Sequence, residues 1–186
     1  MVGLIAYTIR HTEQNDSPIV IMVPVNLRKM FGAEIIRNFV TFVRLQFDKT
    51  LDTLEEHVKT ASVQLKNNAT KDNMEKLIST TVKSEHSIRH VPLCIKSLTS
   101  KIGRLFLKSR QTMIVSNLGN LSFDETLKIK RIDFMVNVST SAKINVGLST
   151  LDGVVTICPS RYTVENTLVE NLLKNINALG IETSAN

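Results

Sequence analysis

Ser116 and Asn117 end the apolar run "MIV" (113–115), and Leu118 and Gly119 follow them. A run that changes from branched apolar side chains to a hydroxyl and an amide puts those polar groups where a strand leaves its core. A serine hydroxyl at such a place can donate to the oxygen that becomes negative when an ester or thioester carbonyl is attacked. It can equally well satisfy backbone groups at a turn. The spacing alone leaves both roles open.

Other chemistries find less support. Of the four histidines, His11, His57, His86 and His90, the last two are four apart and could share a helix face as metal ligands. No H-E-x-x-H pattern accompanies them, and Pro92 follows closely, so no metal site is expected. Cys94 and Cys158 match no C-x-x-C spacing and sit in apolar surroundings, which fits buried free thiols. The phosphate-cradling G-x-x-x-x-G-K and G-x-G-x-x-G patterns and the G-x-S-x-G elbow are absent.

The elements that must position Ser116 follow from hydrophobic periodicity. Residues 2–11 read as a short helix with Val2, Ile5, Ala6 and Ile9 on one face. "IVIMVPV" (19–25) reads as a buried strand and 38–47 as a second, wetter on one face. Leu51, Leu54, Val58, Ala61 and Leu65 form a helical stripe, with Thr50 as its cap. Met74, Leu77, Ile78 and Val82 form another, opened by Thr70. Pro92 opens a third helix with Ile95, Leu98, Ile102 and Leu105 inward and Lys101, Arg104 and Lys108 outward. The period then returns to two. Strands are expected at "TMIVSN", 132–138, 143–150 and 154–158, with Asp152-Gly153 as a hairpin turn and Pro159 as the last strand's end. A final helix carries Val164, Leu168, Leu172, Ile176 and Leu179, and Gly180 stands at its carboxyl cap. The order predicts a single α+β domain over 1–186, a two-layer mixed sheet covered by helices.

Composition bounds the rest. The chain has 186 residues, 42% hydrophobic and 22% charged, enough for one sizeable core. The net charge of +6 suits an anionic ligand. Seven phenylalanines, two tyrosines and no tryptophan make no aromatic-basic stripe, so nucleic acid is not expected as a partner. The longest apolar run, Ile19–Val25, is far too short to span a bilayer, and the amino-terminal segment lacks the pattern of a secretory signal. A cytoplasmic location is the expectation.

"VSNLGN" (115–120) resembles the S-N-L-G stretch of the dihydrolipoyl acyltransferases and the wider chloramphenicol-acetyltransferase-like superfamily. "IVIMVPVNLRKMFGAEIIRNFVTFV" (19–43) is similar to the start of the second half of condensation domains and alcohol-acetyltransferase-like proteins. The matching residues are Pro24, Val25, Arg28, Asn38, Phe39 and Val40; Arg37 stands where those proteins often have glycine. The resemblance runs from about Pro18 to Gly180.

It implies a chloramphenicol-acetyltransferase-like half, the C-terminal portion of a two-part acyltransferase of the alcohol-acetyltransferase-like branch. Such an enzyme moves an acyl group from coenzyme A, or a carrier-protein pantetheine, to an alcohol or amine. Coenzyme A thioester would be a cosubstrate, and the N-terminal half would supply the base from an H-H-x-x-x-D-G motif that this chain lacks. Ser116 is implied to steady the oxyanion. Asn117, Gly119 and Asn38 are implied to line the substrate tunnel, the first two as shapers of the loop. Asn26 and Arg28 are implied to tie the loop after the first strand. Arg161, with Glu165 and Asn166, stands where symmetric members carry H-R-x-x-D-G. A guanidinium stays protonated and cannot serve as base. The chain alone is therefore expected to be inactive, and a lone half is expected to expose apolar surface and self-associate. A non-catalytic, acyltransferase-like binding module is the alternative.

Overall fold

The apolar runs pair into one five-stranded sheet in the order β2-β1-β3-β4-β5. The computed structural model describes residues 1–13, 17–34, 36–89, 91–93, 95, 97, 111–138, 144–162 and 164–184. Its strands are β1 (Ile19–Asn26), β2 (Val40–Phe47), β3 (Met113–Leu121), β4 (Ile144–Leu151) and β5 (Val154–Arg161). β1, β3 and β4 run parallel, while β2 and β5 run antiparallel to their neighbours and form the two edges. The fold is thus the mixed α+β sheet that the sequence predicts.

Four of the helices are α1 (Val2–Thr12), α3 (Leu54–Asn68), α4 (Lys71–Ile88) and α5 (Thr167–Ala178); α2 (Leu27–Phe31) is a single turn after β1. Leu4, Ile5 and Ile9 of α1, Ala61 of α3, Met74 of α4 and Leu172 and Ile176 of α5 share one core with Ile19, Ile21, Leu45, Phe47, Met113, Val115 and Val146. These strand residues are in register and alternate along their strands, so all project from one face. The helix layer covers that face.

Close approach sets the helix layer's geometry. A Cβ on Gly3 would come within 2.6 Å of the Val58 Cα, so only glycine lets α1 lie this near α3. α5 is held against α1 by paired polar groups. Asn171 donates to the Thr12 hydroxyl at 3.0 Å and Asn175 to the Thr8 hydroxyl at 2.9 Å. Spaced four apart on both helices, the two bonds fix the register of the last helix on the first.

Local chemistry corrects several sequence expectations. α3 begins after Thr53 rather than Thr50. Thr53 and Glu56 form a reciprocal capping box, the Thr53 hydroxyl accepting the Glu56 N–H and the Glu56 carboxylate accepting the Thr53 and Asp52 N–H groups. Those bonds hold the Glu56 carboxyl below its ordinary value. Thr70 caps α4 as expected, but the stripe behind it is only partly covered: Met74 is buried, while Leu77 and Val82 are exposed. The helix expected after Pro92 begins with Leu93, Ile95 and Ser97 helical; Leu98, Lys101, Ile102, Arg104, Leu105 and Lys108 lie outside the described residues.

β5 does not end at Pro159 but continues to Arg161. It is an edge strand, where a missing N–H costs no ladder bond. Asp152 and Gly153, both with positive φ, make the expected two-residue hairpin turn between β4 and β5. At the other end of the chain, the N–H of Ile181 reaches the Ile176 carbonyl and that of Gly180 the Asn177 carbonyl, closing α5. Val164, expected within the last helix, precedes it and is fully exposed.

Candidate functional site

The sheet's second face carries the candidate residue Ser116. In-register neighbours share a face, and Ser116 pairs with Gly147, which pairs with Cys158. Val115, one residue earlier, belongs to the helix-covered core, so the row Ser116–Gly147–Cys158 projects to the opposite side. On the same side stand Val40 and Phe42 of β2, Met22 and Pro24 of β1, and Leu118 of β3. Val40, Phe42 and Leu118 are exposed there.

Ser116 is half-buried, and its hydroxyl makes no hydrogen bond to any of the described residues. The strand does not end on it. β3 continues to Leu121, with an irregularity between Asn117 and Asn120 that breaks its register on β4. On the other side, the β1–β3 ladder stops earlier, after Ile21↔Met113 and Met22↔Ile114. The β1–β2 ladder runs unbroken through Pro24↔Phe42, so the N–H that Pro24 lacks is missing on the β3 side. Ser116 therefore lies just beyond the last β1–β3 bridge, level with Gly147 in the middle of β4, and Asn117–Leu121 continue from it toward the carboxyl ends of the parallel strands. In open α/β sheets that end is where ligands bind.

Asn117 and Gly119 build the irregularity. The Asn117 side chain accepts the Gly119 N–H at 2.8 Å, and Gly119 has φ +82, a conformation glycine adopts without strain. Both residues act on the backbone that follows Ser116. Asn38 is exposed just ahead of β2, at the same end of the sheet but two strands away from β3. The structure brings Ser116, Asn117 and Gly119 together and leaves Asn38 apart from them. Arg28 does tie the loop after β1. Its guanidinium donates to the Arg37 carbonyl at 2.5 Å, and the Asn26 side chain accepts the Arg28 N–H at 3.1 Å, capping α2.

Residues 132–138, expected as a strand, do not join the sheet. They alternate half-buried and exposed as a strand would, but they lie across the second face, over β4. Three residues of β4 at every second position hold them, two by side-chain hydrogen bonds and one by having no side chain. The Asn145 amide donates to the Asn137 carbonyl at 2.6 Å, and the Ser149 hydroxyl donates to the Ile132 carbonyl at 2.7 Å. Between them, a Cβ on Gly147 would overlap the Phe134 carbonyl oxygen. Asn145 is buried and also accepts the Ile114 N–H at 2.8 Å, so it joins the segment to β3 as well. The Cys158 thiol points to the Asp133 carboxylate at 3.8 Å. Sequence reading missed this strap. Its signal is "NVGLS" (145–149), a strand in which a buried face reads Asn-Gly-Ser.

The described histidines stand away from Ser116. His57 is fully buried in the helix layer, stacked on Phe47 and edge-on to Tyr7, with Nδ1 2.8 Å from the Thr53 carbonyl oxygen. It is on the far side of the sheet. His11 lies on α1 in the same layer, and His86 is exposed near the end of α4. His90 and Cys94 lie outside the described residues. Arg161 pairs with Ile144, at the sheet end opposite Asn117–Leu121, and its guanidinium donates to the Glu165 carbonyl. Among the described residues no cluster of His, Cys, Asp and Glu could hold a metal ion, and no helix is long and apolar enough to cross a membrane.

No protein-family model matches this sequence, and no curated protein matches it. Among solved structures, the chain is similar to the epimerization domain from the third module of tyrocidine synthetase B, with a TM-score of 0.56 at 14% identity. The likeness covers 95% of this chain and 39% of that one. At this identity the likeness shows the fold alone, the mixed sheet with its helix layer, which is consistent with the chloramphenicol-acetyltransferase-like fold expected from the sequence.

Proposed function

We propose that this chain is one half of an acyl-transferring enzyme, and that its share is to hold a thioester carbonyl at Ser116. The observation that carries the reading is the Ser116 hydroxyl itself, without a hydrogen bond to any described residue, on the second sheet face just past the point where the β1–β3 ladder stops. A fold shared with less than half of a larger domain supports a partner half that closes over this face. The acyl donor would be coenzyme A or a carrier-bound pantetheine, and the acceptor an alcohol or amine, as the alcohol-acetyltransferase-like motifs imply.

The chemistry divides between the halves. A neutral alcohol is a poor nucleophile and needs a base within hydrogen-bond reach. His57 faces the wrong side of the sheet, and Arg161 is engaged with Glu165. The base would come from a partner bearing H-H-x-x-x-D-G. When the acceptor oxygen attacks the thioester carbonyl, the carbonyl oxygen becomes an anion and Ser116 donates to it. Collapse of that intermediate expels the thiolate, which takes the proton from the protonated base.

The test supplies short-chain acyl-coenzyme A with a panel of alcohols and amines and follows thiol release. The chain alone should give none. Joined to a half carrying the histidine motif, it should turn over, and Ser116→Ala should lower kcat by about 10²–10³ with little change in KM. An unchanged kcat would make Ser116 a turn residue. The second reading, a non-catalytic binding module, is favoured by the absence of a described histidine on the Ser116 face. It predicts thioester binding with no turnover in any pairing.

A further inference from the structure

The strap places one aromatic ring beside Ser116. Phe134 lies over Gly147, with its ring Cδ1 3.1 Å from where a Gly147 Cβ would be. Gly147 is the in-register neighbour of Ser116, one strand spacing away, about 4.8 Å. The ring is half-buried, so part of it stays open to whatever occupies that face.

Its position is set by the backbone rather than by its own packing. The strap carbonyls on either side, Ile132 and Asn137, are held by Ser149 and Asn145. Gly147 lets the Phe134 peptide sit directly on β4, which brings the ring against the in-register neighbour of Ser116. A carbonyl bound at Ser116 would thus have Phe134 toward β4. Further along β3 it would have the exposed side chain of Leu118, and toward β2 those of Phe42 and Val40.

We propose that Phe134 is a specificity-determining residue: the wall that limits the length of the acyl chain held at Ser116. The inference rests on the acyl-transfer reading above. A long acyl chain that heads toward β4 meets a ring pinned through its backbone. Replacing the ring by a methyl group opens that path, and each further methylene then buried strengthens binding about fourfold.

The experiment measures binding of S-alkyl coenzyme A thioethers with chains of two to eight carbons to the whole chain, by ligand-observed NMR. The original sequence should lose affinity beyond short chains. Phe134→Ala should move the optimum to longer chains, with a gain of about tenfold or more for the octyl thioether. Circular dichroism checks folding, and Phe134→Leu, with a smaller shift in the same direction, decides if the alanine variant does not fold. The same length profile in a folded Phe134 variant and the original overturns the inference while leaving the acyl-transfer reading standing. No binding of any thioether overturns that reading, and the inference falls with it.

Discussion

β2 carries two phenylalanines on opposite faces of one strand. Phe47 is fully buried under the helices and stacks on His57, while Phe42 is 45% exposed on the face of Ser116. The contrast extends across the sheet. Below the helices, apolar side chains from α1, α3, α4, α5 and four strands interdigitate in one core. On the other face, β4 presents Asn145, Gly147 and Ser149, and a chain segment is attached by side-chain hydrogen bonds rather than a ladder. Stability belongs to the first face. The second face keeps polar groups and close backbone approaches, which add little apolar burial but fix the backbone that carries Phe134 against β4.

The comparison can be broken most sharply on β2. Phe47→Ala should cost about 4 kcal/mol, because a large aromatic side chain leaves a filled core. Phe42→Ala should cost less than about 0.5 kcal/mol. Urea unfolding of both variants checks the pair, and equal costs would mean that the second face is packed as tightly as the first. Light scattering on Phe42→Ser adds a finer test: self-association through the exposed row should weaken, with stability almost unchanged.

Gly147→Ala probes the strap. The added Cβ collides with the Phe134 peptide, and neither partner is a flexible side-chain end. The expected cost is about 3 kcal/mol, at the upper end of overpacking penalties. It should come with faster hydrogen exchange in 132–138 and little change in α1, α3 or α5. Exchange that rises equally in the helix layer would show that the two faces are one cooperative unit.

The smallest effect is electrostatic and belongs to the helix layer alone. Hydrogen bonds from the Thr53 and Asp52 N–H groups hold the Glu56 carboxyl below its ordinary 4.5. A depressed folded-state pKa contributes stability that is present above that ordinary value and is lost as pH falls through the lowered one. Glu56→Ala should therefore lower Tm at neutral pH, and the gap to the original sequence should narrow below pH 4.5. A gap that stays constant down to pH 3 would show that the charged capping box contributes nothing at this exposed helix end.

Much was legible in the sequence because it depends on neighbours along the chain. Periods of 3.6 and 2 located α1, α3, α4, α5 and all five strands. Thr70, Asp152-Gly153, Gly180, and Asn26 with Arg28 did what their chemistry dictates within a few residues of chain. The same locality put Ser116, Asn117 and Gly119 at a single place.

What the tertiary structure decided depends on what each segment faces. Alternation in 132–138 specifies an extended chain with one covered side, and both a sheet strand and a strap across β4 satisfy it. Gly147, by making room for the Phe134 peptide, selects the strap. Pro159 reads as a strand breaker until β5 is known to be an edge. Pro24 reads as a strand end until its bare nitrogen is seen to face β3, where the ladder stops short of Ser116. Thr50 and Thr53 are both good caps, and the reach of Glu56 back to Thr53 chooses between them. Local sequence fixes which backbone conformations are cheap. The assignment of a strand to an edge, a segment to a face, and Phe134 to the side of Ser116 comes only from partners far away in the chain, through bonds and exclusions that no short window contains.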